Sequence, residues 1–381
     1  MTPRIATFLI FVANGAVVGT WVAFIPTVKD RLDASGSEFG MALLFAPLGA
    51  LVAQQISGQL LMRVSSRRMT TVATLVLPWL VILPVLAPSI PLLAAALFFV
   101  GYFNSMMDLS MNAHGVALED RDGKSIMSGL HGGWSLGGIV APIAVALALG
   151  FGIAPAVEVV LAAAVLFVLG LFASRHLGQG STKSETGGGG LHLPPRTILP
   201  MAGLVVLIAF VEGGLTDWGG VYLSEGLGAA ESMTAMAFSA LSLGLFIGRM
   251  GGDWAKDRVG SVRLIQVGMG GTAAAIAVML LIDEPLVALA GMVVAGLGLA
   301  NTVPQIFAAA GRIPPKGPSL SAMFTSLTLA FIAGPLLIGT TADAVGIAGA
   351  FTFLVLASVA VMLLAGRVPS AETNPRFQKP D

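Results

Sequence analysis

Three polar side chains inside one apolar run are the first candidates for chemistry. Asn104, Asp108 and Asn112 are spaced four residues apart, so on an α-helix they stack along one face. The run around them, residues 91–118, is long enough to cross a hydrocarbon core of about 30 Å. A carboxylate near the middle of that core costs at least about 2.5 kcal/mol. A carboxylate is tolerated at this depth where it faces a water-filled cavity inside the protein.

Two interpretations of Asp108 follow from this position. In the functional one, Asp108 is a protonatable switch: protonation and solute binding change each other's affinity, so a proton gradient can drive transport. In the other, Asp108 is a structural carboxylate that is hydrogen-bonded to the neighbouring Asn side chains. No Lys or Arg is expected at the same depth, which favours the switch.

A second pair of acidic residues lies in a later apolar run. Glu212 falls at the middle of residues 197–224, and Asp217 follows about one and a half turns later. Paired glycines next to both acids loosen this helix, and discontinuous helices frame binding sites in transporters. We assign Glu212 and Asp217, with Asp108, to proton coupling. The alternatives are packing for Glu212 and, for Asp217 with Trp218, a place at the membrane interface.

The composition indicates an integral membrane protein. Of the 381 residues, 56% are hydrophobic and 10% are charged, whereas soluble domains carry about 25% charged residues. The absence of cysteine excludes disulfides, thiol catalysis and Cys-ligated metal. We expect neither a metal ion nor a cofactor. The net charge is zero and no basic block exists, so nucleic-acid binding has no support.

Apolar runs bounded by charged or Gly/Pro-rich segments predict an all-α protein with twelve transmembrane helices. A stretch rich in Ser, Thr and Gly, with the composition of a flexible linker, separates six spans from six. The predicted parts are a six-helix bundle (1–173), a cytoplasmic linker (174–196), a second six-helix bundle (197–366) and a cytoplasmic tail (367–381). The predicted spans are 5–27, 38–62, 69–87, 91–118, 126–149, 155–173, 197–224, 232–254, 262–282, 286–310, 318–342 and 346–366.

The basic residues predict the orientation of these spans. If the N-terminus is cytoplasmic, that side receives all of the 20 Lys and Arg except Lys29 and Arg31. Because cytoplasmic loops carry the excess of basic residues, both termini are expected in the cytoplasm. One missed span would invert every later loop, so this agreement also supports the count of twelve.

The two halves repeat each other. The fourth and tenth spans both run from a glycine through Asn to a basic exit (residues 101–121 and 296–312), and the fifth and eleventh share a small residue before Pro142 and Pro335. A repeat of six helices is typical of several secondary transporter folds, with the substrate site between the halves. With the Asp-Arg-x-Gly loop at 257–260, the chain resembles the major facilitator superfamily over essentially its whole length.

Longer strings resemble the YbjJ-like branch of that superfamily, a relative of the fucose permeases; they are residues 108–119, 128–138, 212–218 and 296–304. In fucose permeases an acidic residue on the fourth span, a few residues before an Asn, serves proton coupling, and Asp108 with Asn112 matches that pattern. Those permeases also use an aspartate on the first span, where this chain has Asn14 and no acid. That departure weakens the analogy to a sugar substrate.

The resemblance implies which residues surround the solute, because in the superfamily the first, fourth, seventh and tenth spans line a central cavity. The predicted cavity residues are Asn14, Trp21, Asn104, Asn112, His114, Trp218, Asn301 and Gln305. Hydrogen bonds between helices, worth about 0.6 kcal/mol each, are the alternative role for the amides. His114, like His131, could relay protons or could simply pack.

The resemblance also implies a gate at the cytoplasmic side, made of charged residues near the ends of the second and eighth spans. Its predicted members are Arg63, Arg67, Arg68, Arg249, Asp253, Asp257 and Arg258. Arg249 and Asp253, four residues apart, are expected to pair at the cytoplasmic end of the eighth span. Met62 and Ser65 stand where the family pattern has Asp and Gly.

We therefore predict a monomeric, proton-coupled secondary transporter of a small organic solute in a bacterial inner membrane, working by alternating access. A multidrug or metabolite efflux antiporter, or a non-transporting sensor with the same fold, is the alternative. An ATP-driven pump fails because Gly123-Lys124-Ser125 has Leu118 where the phosphate loop needs its first glycine. We do not expect an enzyme, since no nucleophile constellation or metal-ligand cluster stands out.

Overall fold

Helices form all of the regular secondary structure among the residues that the structure describes. The computed structural model describes residues 1–61, 63–123, 126–178, 198–310, 313 and 316–367; at 58, 128, 253, 316–318, 320–321 and 367 it describes the backbone alone. Most of the predicted linker and tail lies outside these ranges. The predicted all-α class is confirmed.

The helices follow the predicted spans closely. The first half contains α1 (Pro3–Arg31), α2 (Gly36–Leu43), α3 (Phe45–Leu61), α4 (Ser66–Leu80), α5 (Ile82–Leu86), α6 (Ile90–Asp122), α7 (Met127–Gly150) and α8 (Pro155–Arg175). The second half contains α9 (Leu199–Val221, continued by a π-helical turn, Tyr222–Gly226), α10 (Glu231–Thr234), α11 (Ala237–Val259), α12 (Ser261–Leu281), α13 (Pro285–Leu299), α14 (Thr302–Ala310) and α15 (Lys316–Leu364, continued by a 3-10 turn, Ala365–Arg367). Proline at the first positions of α1, α6, α8, α9 and α13 suits a helix start.

Eleven stretches of the described chain are long and apolar enough to cross a membrane. The last, Ala322–Leu364, has 43 residues, about twice the length that one crossing needs. Gly346 breaks its helical course with φ 78° and ψ 163°, a conformation that glycine adopts without a steric penalty. This stretch therefore supplies two crossings, which brings the total to the twelve that the sequence predicts.

Four spans are divided into two helices, a feature that the sequence pattern did not predict: α2 with α3, α4 with α5, α10 with α11 and α13 with α14. In three of them a proline, Pro47, Pro84 or Pro304, is the third residue of the second helix. A proline has no N–H to donate to the carbonyl four residues earlier, and its ring crowds that carbonyl. The first helix therefore ends four or five residues before each proline, and the second helix begins two residues before it.

The packing of the two halves follows the same scheme. In the first half α1 packs on α7, α3 on α6 and α4 on α8; in the second, α9 packs on α15, α11 on α13 and α12 on α15. These are equivalent pairs of spans in a six-helix repeat. The two six-helix bundles that the sequence predicts are present.

Reciprocal glycines allow the closest of these contacts. A Cβ atom at Gly101 of α6 would collide with the backbone carbonyl of Ala46 in α3, and one at Gly49 of α3 would collide with that of Phe98 in α6. Gly244 and Gly296 make the equivalent pair between α11 and α13. Small residues let transmembrane helices approach at backbone distance, where dispersion contacts stabilise them.

The two faces of the molecule differ in how the halves meet. We call the face that carries Met1 and the α3–α4 turn the terminal side, and the face that carries the α1–α2 turn the far side. The halves meet along α2 with α15, α7 with α10 and α11, and α1 with α9. Because α2 and α10 are the short far-side segments of their spans, this interface is concentrated toward the far side.

We expect Gly101→Ala to lower the stability of the folded protein by about 1–3 kcal/mol, because the new methyl group forces α3 and α6 apart. Gly203→Ala is the matched control: a Cβ atom there meets nothing within 4 Å, so the change should be neutral or stabilising by up to about 1 kcal/mol. Thermal unfolding of both variants in detergent measures the difference. Equal shifts for the two would show that the glycine contact does not hold the helices together.

Candidate functional site

A chain of side-chain hydrogen bonds joins three helices of the first half. Trp134 Nε1 of α7 donates to Asn14 Oδ1 of α1 (2.9 Å), and Asn14 Nδ2 donates to Asn104 Oδ1 of α6 (3.0 Å). Asn14 is 1% exposed. Asn14 and Asn104, predicted to contact solute, are thus engaged with each other and with Trp134. The sequence analysis did not single out Trp134, although an indole N–H inside a membrane span needs a partner.

Asp108 lies one turn beyond Asn104, and its side chain is exposed. Asn112 Nδ2 donates to both Asp108 Oδ1 (3.0 Å) and the Asp108 carbonyl oxygen (2.8 Å). Phe99, nine residues away, lies on the opposite face of α6 and is 51% exposed. Since Phe99 has the position of a lipid-facing residue, the stripe of Asn104, Asp108 and Asn112 lies on the face of α6 that is turned away from lipid.

Asp108 has no ion pair with any residue that the structure describes. The Asp108 carboxylate accepts one side-chain hydrogen bond, from the amide of Asn112. A carboxyl group in this setting can change its charge without breaking a salt bridge.

A second polar cluster spans the boundary between the halves. Arg249, near the middle of α11, donates from Nη1 to Ser135 Oγ of α7 at 3.3 Å. The positive charge of Arg249 acts on Glu212 of α9 and on His131 of α7. His131 is exposed, and its ring meets Phe11 edge-on with centroids 5.3 Å apart. The cluster thus brings an acid, a cation, an imidazole and a hydroxyl from three helices together.

Arg249 makes a contact that its spacing along the helix does not predict. The spacing predicts that Arg249 belongs to the gate and pairs with Asp253; the structure adds a hydrogen bond from the guanidinium to Ser135 in the other half. The side chain of Asp253 lies outside the described residues. Spacing of four along one helix could not reveal this contact, because the partner Ser135 is more than 100 residues away and comes near only when the two halves pack.

Asp217 and Trp218 lie further toward the far side on α9. Asp217 is half-buried. Trp218 is fully buried and meets Phe39 of α2 edge-on, with ring centroids 6.3 Å apart. Because α2 belongs to the first half, Trp218 fills the interface between the halves. It does not line open space, as a cavity residue would.

Four other predicted cavity residues lie within one half of the molecule. His114 is 1% exposed and stands about 200° around α6 from Asn112, so it faces away from the polar stripe. Trp21 is buried in α1. Asn301 Nδ2 donates to the Gly248 carbonyl oxygen (2.8 Å), which supports the break between α13 and α14. Gln305 Oε1 accepts from Ser261 Oγ (2.9 Å) at the start of α12.

On the terminal side, the predicted gate residues lie at the surface. Arg63, Arg67, Arg68 and Asp257 are exposed, and the Arg258 guanidinium stacks on the Trp254 ring of its own helix at 4.3 Å. Among the described residues no ion pair joins the two halves on this side.

The ion pair that joins the halves lies on the far side. Lys29, at the end of α1, contacts Glu225 in the π-helical turn after α9. Thr27 Oγ1 donates to Glu231 Oε1 of α10 at 2.6 Å. Lys29 is 8% exposed, so its charge is largely removed from water and needs its partner.

A carboxylate from the second half also caps a helix of the first. Asp343 Oδ1 accepts from the Gly36 backbone N–H (2.5 Å), and Oδ2 accepts from that of Ser37 (2.8 Å), at the start of α2. A negative charge at a helix N-terminus is favourable, and the two N–H groups have no partner inside the helix. Gly36 and Gly339 are in backbone contact beside this cap. The far side is therefore closed by charge, capping and close packing together.

Asp343, Glu225 and Glu231 were missed by the sequence analysis. Their one signal in the sequence was position: each is an acid near the end of a predicted span, on the side where Lys29 and Arg31 are the exceptional basic residues. Arg31 donates to the carbonyl oxygens of Val85 (2.5 Å) and Ala87 (2.9 Å) in its own half. Among the described residues there is no group of three or more His, Asp or Glu that could hold a metal ion.

Comparison with known proteins gives one consistent result. The sequence model of the Major Facilitator Superfamily matches residues 5–327. An uncharacterized MFS-type transporter of Yersinia pestis is 28% identical over 97% of this chain and 96% of its own length. An uncharacterized transporter of Sinorhizobium fredii is 30% identical over 93% of this chain and 95% of its own. Membrane protein MosC of Rhizobium meliloti is 30% identical over 92% of this chain and 86% of its own.

Solved structures share the fold at low sequence identity. The nucleoside transporter NupG has a TM-score of 0.77 and 12% identity, covering 97% of this chain and 98% of its own. A bacterial homologue of the human lysosomal transporter Spinster, in an inward-facing and occupied conformation, has a TM-score of 0.72 and 14% identity, with 96% of each chain covered.

We expect Glu225→Gln to open the far side, because it leaves the buried Lys29 charge without its partner. Since the chain has no cysteine, two introduced cysteines at the exposed residues Asp30 and Ala230 can carry spin labels on opposite halves. Double electron–electron resonance measures the distance between the two labels. The fraction of molecules with a long distance should be larger in Glu225→Gln than in the parent.

Glu284→Gln is the control for this measurement, since Glu284 is an exposed acid on the same side without a contact to the other half. Its distance distribution should match that of the parent. If both variants leave the distribution unchanged, the ion pair does not hold the far side closed.

Proposed function

The chain belongs to the Major Facilitator Superfamily, and we propose that it is a proton-coupled secondary transporter that moves a small organic solute by alternating access. The observation that carries this proposal is Asp108: an exposed carboxyl inside a membrane span, with Asn112 as its side-chain partner. Such a group can take up and release a proton during each cycle. The strings at 108–119, 128–138, 212–218 and 296–304 support a place in the YbjJ-like branch of the superfamily.

The sidedness of the protein rests on its charges. All but two of its Lys and Arg fall on the terminal side or in the segments that lead to it, so this side is cytoplasmic by the positive-inside rule. Both termini then lie in the cytoplasm, and a structure closed at the far side is closed to the outside. Relatives from three bacteria support a bacterial inner membrane. We propose a monomer, with protons and one solute as its ligands.

The proposed cycle uses the closure of the far side as one of its two end states. In this state the cavity that holds Asp108 is accessible from the cytoplasm. To face outward, the protein must separate Lys29 from Glu225 and release the cap that Asp343 places on α2. Solute and proton binding would supply the free energy that makes this exchange of contacts favourable, as population shifts require.

The cluster around Arg249 supports a place for the solute between the halves. Arg249 lies on α11 and Ser135 on α7, so their hydrogen bond changes whenever the halves rock. Glu212 lies within electrostatic range of Arg249, and no ion pair joins the two in the described part of the chain. A solute with donor and acceptor groups can replace such contacts from either half, so we assign Glu212, Arg249 and His131 to the solute site.

A solute can be found by its effect on stability. We would follow thermal unfolding of the purified protein with a panel of sugars, polar metabolites and cationic drugs at two pH values. A ligand at about 100 times its dissociation constant should stabilise the protein by roughly 2.7 kcal/mol. Transport of the compound that stabilises it is then assayed in proteoliposomes; a stabilising ligand that never crosses the bilayer would indicate a sensor.

We expect Asp108→Asn to abolish accumulation of that solute driven by a proton gradient, while exchange of solute for solute continues. An amide of the same size keeps the cavity but cannot carry a proton. The control is Asp120→Asn, an exposed acid at the terminal end of the same helix, which should transport like the parent. Uptake that still follows the pH gradient in Asp108→Asn would refute the coupling role.

We expect Glu212→Gln and Arg249→Gln to be coupled. Each single change leaves a charge without compensation and should lower stability, whereas the double variant removes both charges and should lose less than the sum. Glu212→Gln should also change the affinity for the solute or its dependence on pH. Additive losses and unchanged binding would assign Glu212 to packing.

A further inference from the structure

A groove with a volume of about 450 Å³ lies on the outer surface of the first half, between α4 and α8 at the terminal side. Three arginines surround its mouth: Arg67 and Arg68 in the first turn of α4, and Arg175 at the last residue of α8. Val72, Leu75 and Leu171 line it further in. No carboxylate is among its lining residues.

The surroundings of this groove face lipid. Val165 is 66% exposed, Val168 62% and Phe172 52% along α8, and Val72 is 52% exposed on α4. The main contacts of α8 are with α1, α4 and α5 of the first half. The groove is therefore outside the central cavity and opens toward the bilayer, with its charged end at the membrane surface and its apolar end in the hydrocarbon.

The charges at the mouth lack a balancing acid. Arg67, Arg68 and Arg175 are exposed, and none of them forms an ion pair within the described part of the chain. Arg67 and Arg68 also occupy the N-terminus of a helix, where the helix dipole disfavours cations. Arg67 and Arg68, predicted from the family resemblance to belong to the cytoplasmic gate, line this groove in the present structure.

We propose that the groove binds an anionic phospholipid, with its phosphate among the three guanidinium groups and an acyl chain along Val72, Leu75 and Leu171. Guanidinium groups bind phosphate through paired charge-assisted hydrogen bonds. Basic pockets between transmembrane helices are suited to acidic head groups. A free anion has no apolar part that could contact Val72, Leu75 and Leu171, whereas an acyl chain has one. The site therefore favours a lipid over a free anion.

The test is native mass spectrometry of the full-length protein in detergent, with added phosphatidylglycerol or phosphatidylcholine. The parent should retain phosphatidylglycerol in preference. The triple variant Arg67→Gln/Arg68→Gln/Arg175→Gln should bind phosphatidylglycerol roughly 100-fold more weakly. The reason is that each basic residue near an anionic head group raises the affinity by roughly a factor of five. Arg263→Gln is the matched control: Arg263 is an exposed residue in the first turn of α12, the counterpart of α4 in the second half.

A second variant tests the apolar part of the site and does not depend on the arginines. Val72→Trp fills the groove while all three charges remain, and it should also lose phosphatidylglycerol. Thermal unfolding in phosphatidylcholine confirms that each variant is folded. Equal retention of both lipids by the parent, unchanged binding by either groove variant, an equal loss in Arg263→Gln, or displacement of the lipid by millimolar inorganic phosphate would overturn the proposal.

Discussion

The hydrocarbon core of a membrane offers no hydrogen bonds and little stabilisation to a charge, and the arrangement of this protein depends on that constraint. Backbone groups are satisfied within helices, so the described chain crosses the membrane as helices alone. Polar side chains find one another: Trp134, Asn14 and Asn104 form one chain of hydrogen bonds. Asp108, Glu212 and Arg249 are charged residues within the spans, and Arg249 donates a hydrogen bond to Ser135 of the other half.

Where charge lies at the membrane surface, it distinguishes the two faces. The far side has two basic residues, Lys29 and Arg31, and the halves are joined there by Lys29 with Glu225 and by the cap that Asp343 places on α2. The terminal side has many arginines, and among the described residues they form no ion pair between the halves. A transporter must close one side while the other opens. This asymmetry is what one end state of such a cycle requires.

Glycine determines how closely the spans pack on one another, and proline determines where three of them are interrupted. Reciprocal glycines bring α3 against α6 and α11 against α13 at backbone distance in both halves. Prolines divide three spans where they remove a helical hydrogen bond. Within each half the spans therefore meet at backbone distance, whereas the contacts between the halves are concentrated toward the far side.

The sequence alone determined the all-α class, the twelve crossings and the six-plus-six repeat. These features depend on local hydrophobicity, on length and on composition, which every segment carries in itself. The sequence also identified Asp108 with Asn112, because the two lie on one helix face four residues apart. The hydrogen bonds between them confirm that spacing.

Only the tertiary structure decided which distant residues meet. Arg249 reaches Ser135, Asp343 caps α2, and Trp218 packs on Phe39, each across the boundary between the halves. His114 lies about 200° around α6 from Asn112 and is buried, but which neighbours bury it depends on how the helices pack. Contacts between segments separated by 100 residues or more depend on how helices rotate and pack, and a single sequence does not contain that geometry in its local pattern.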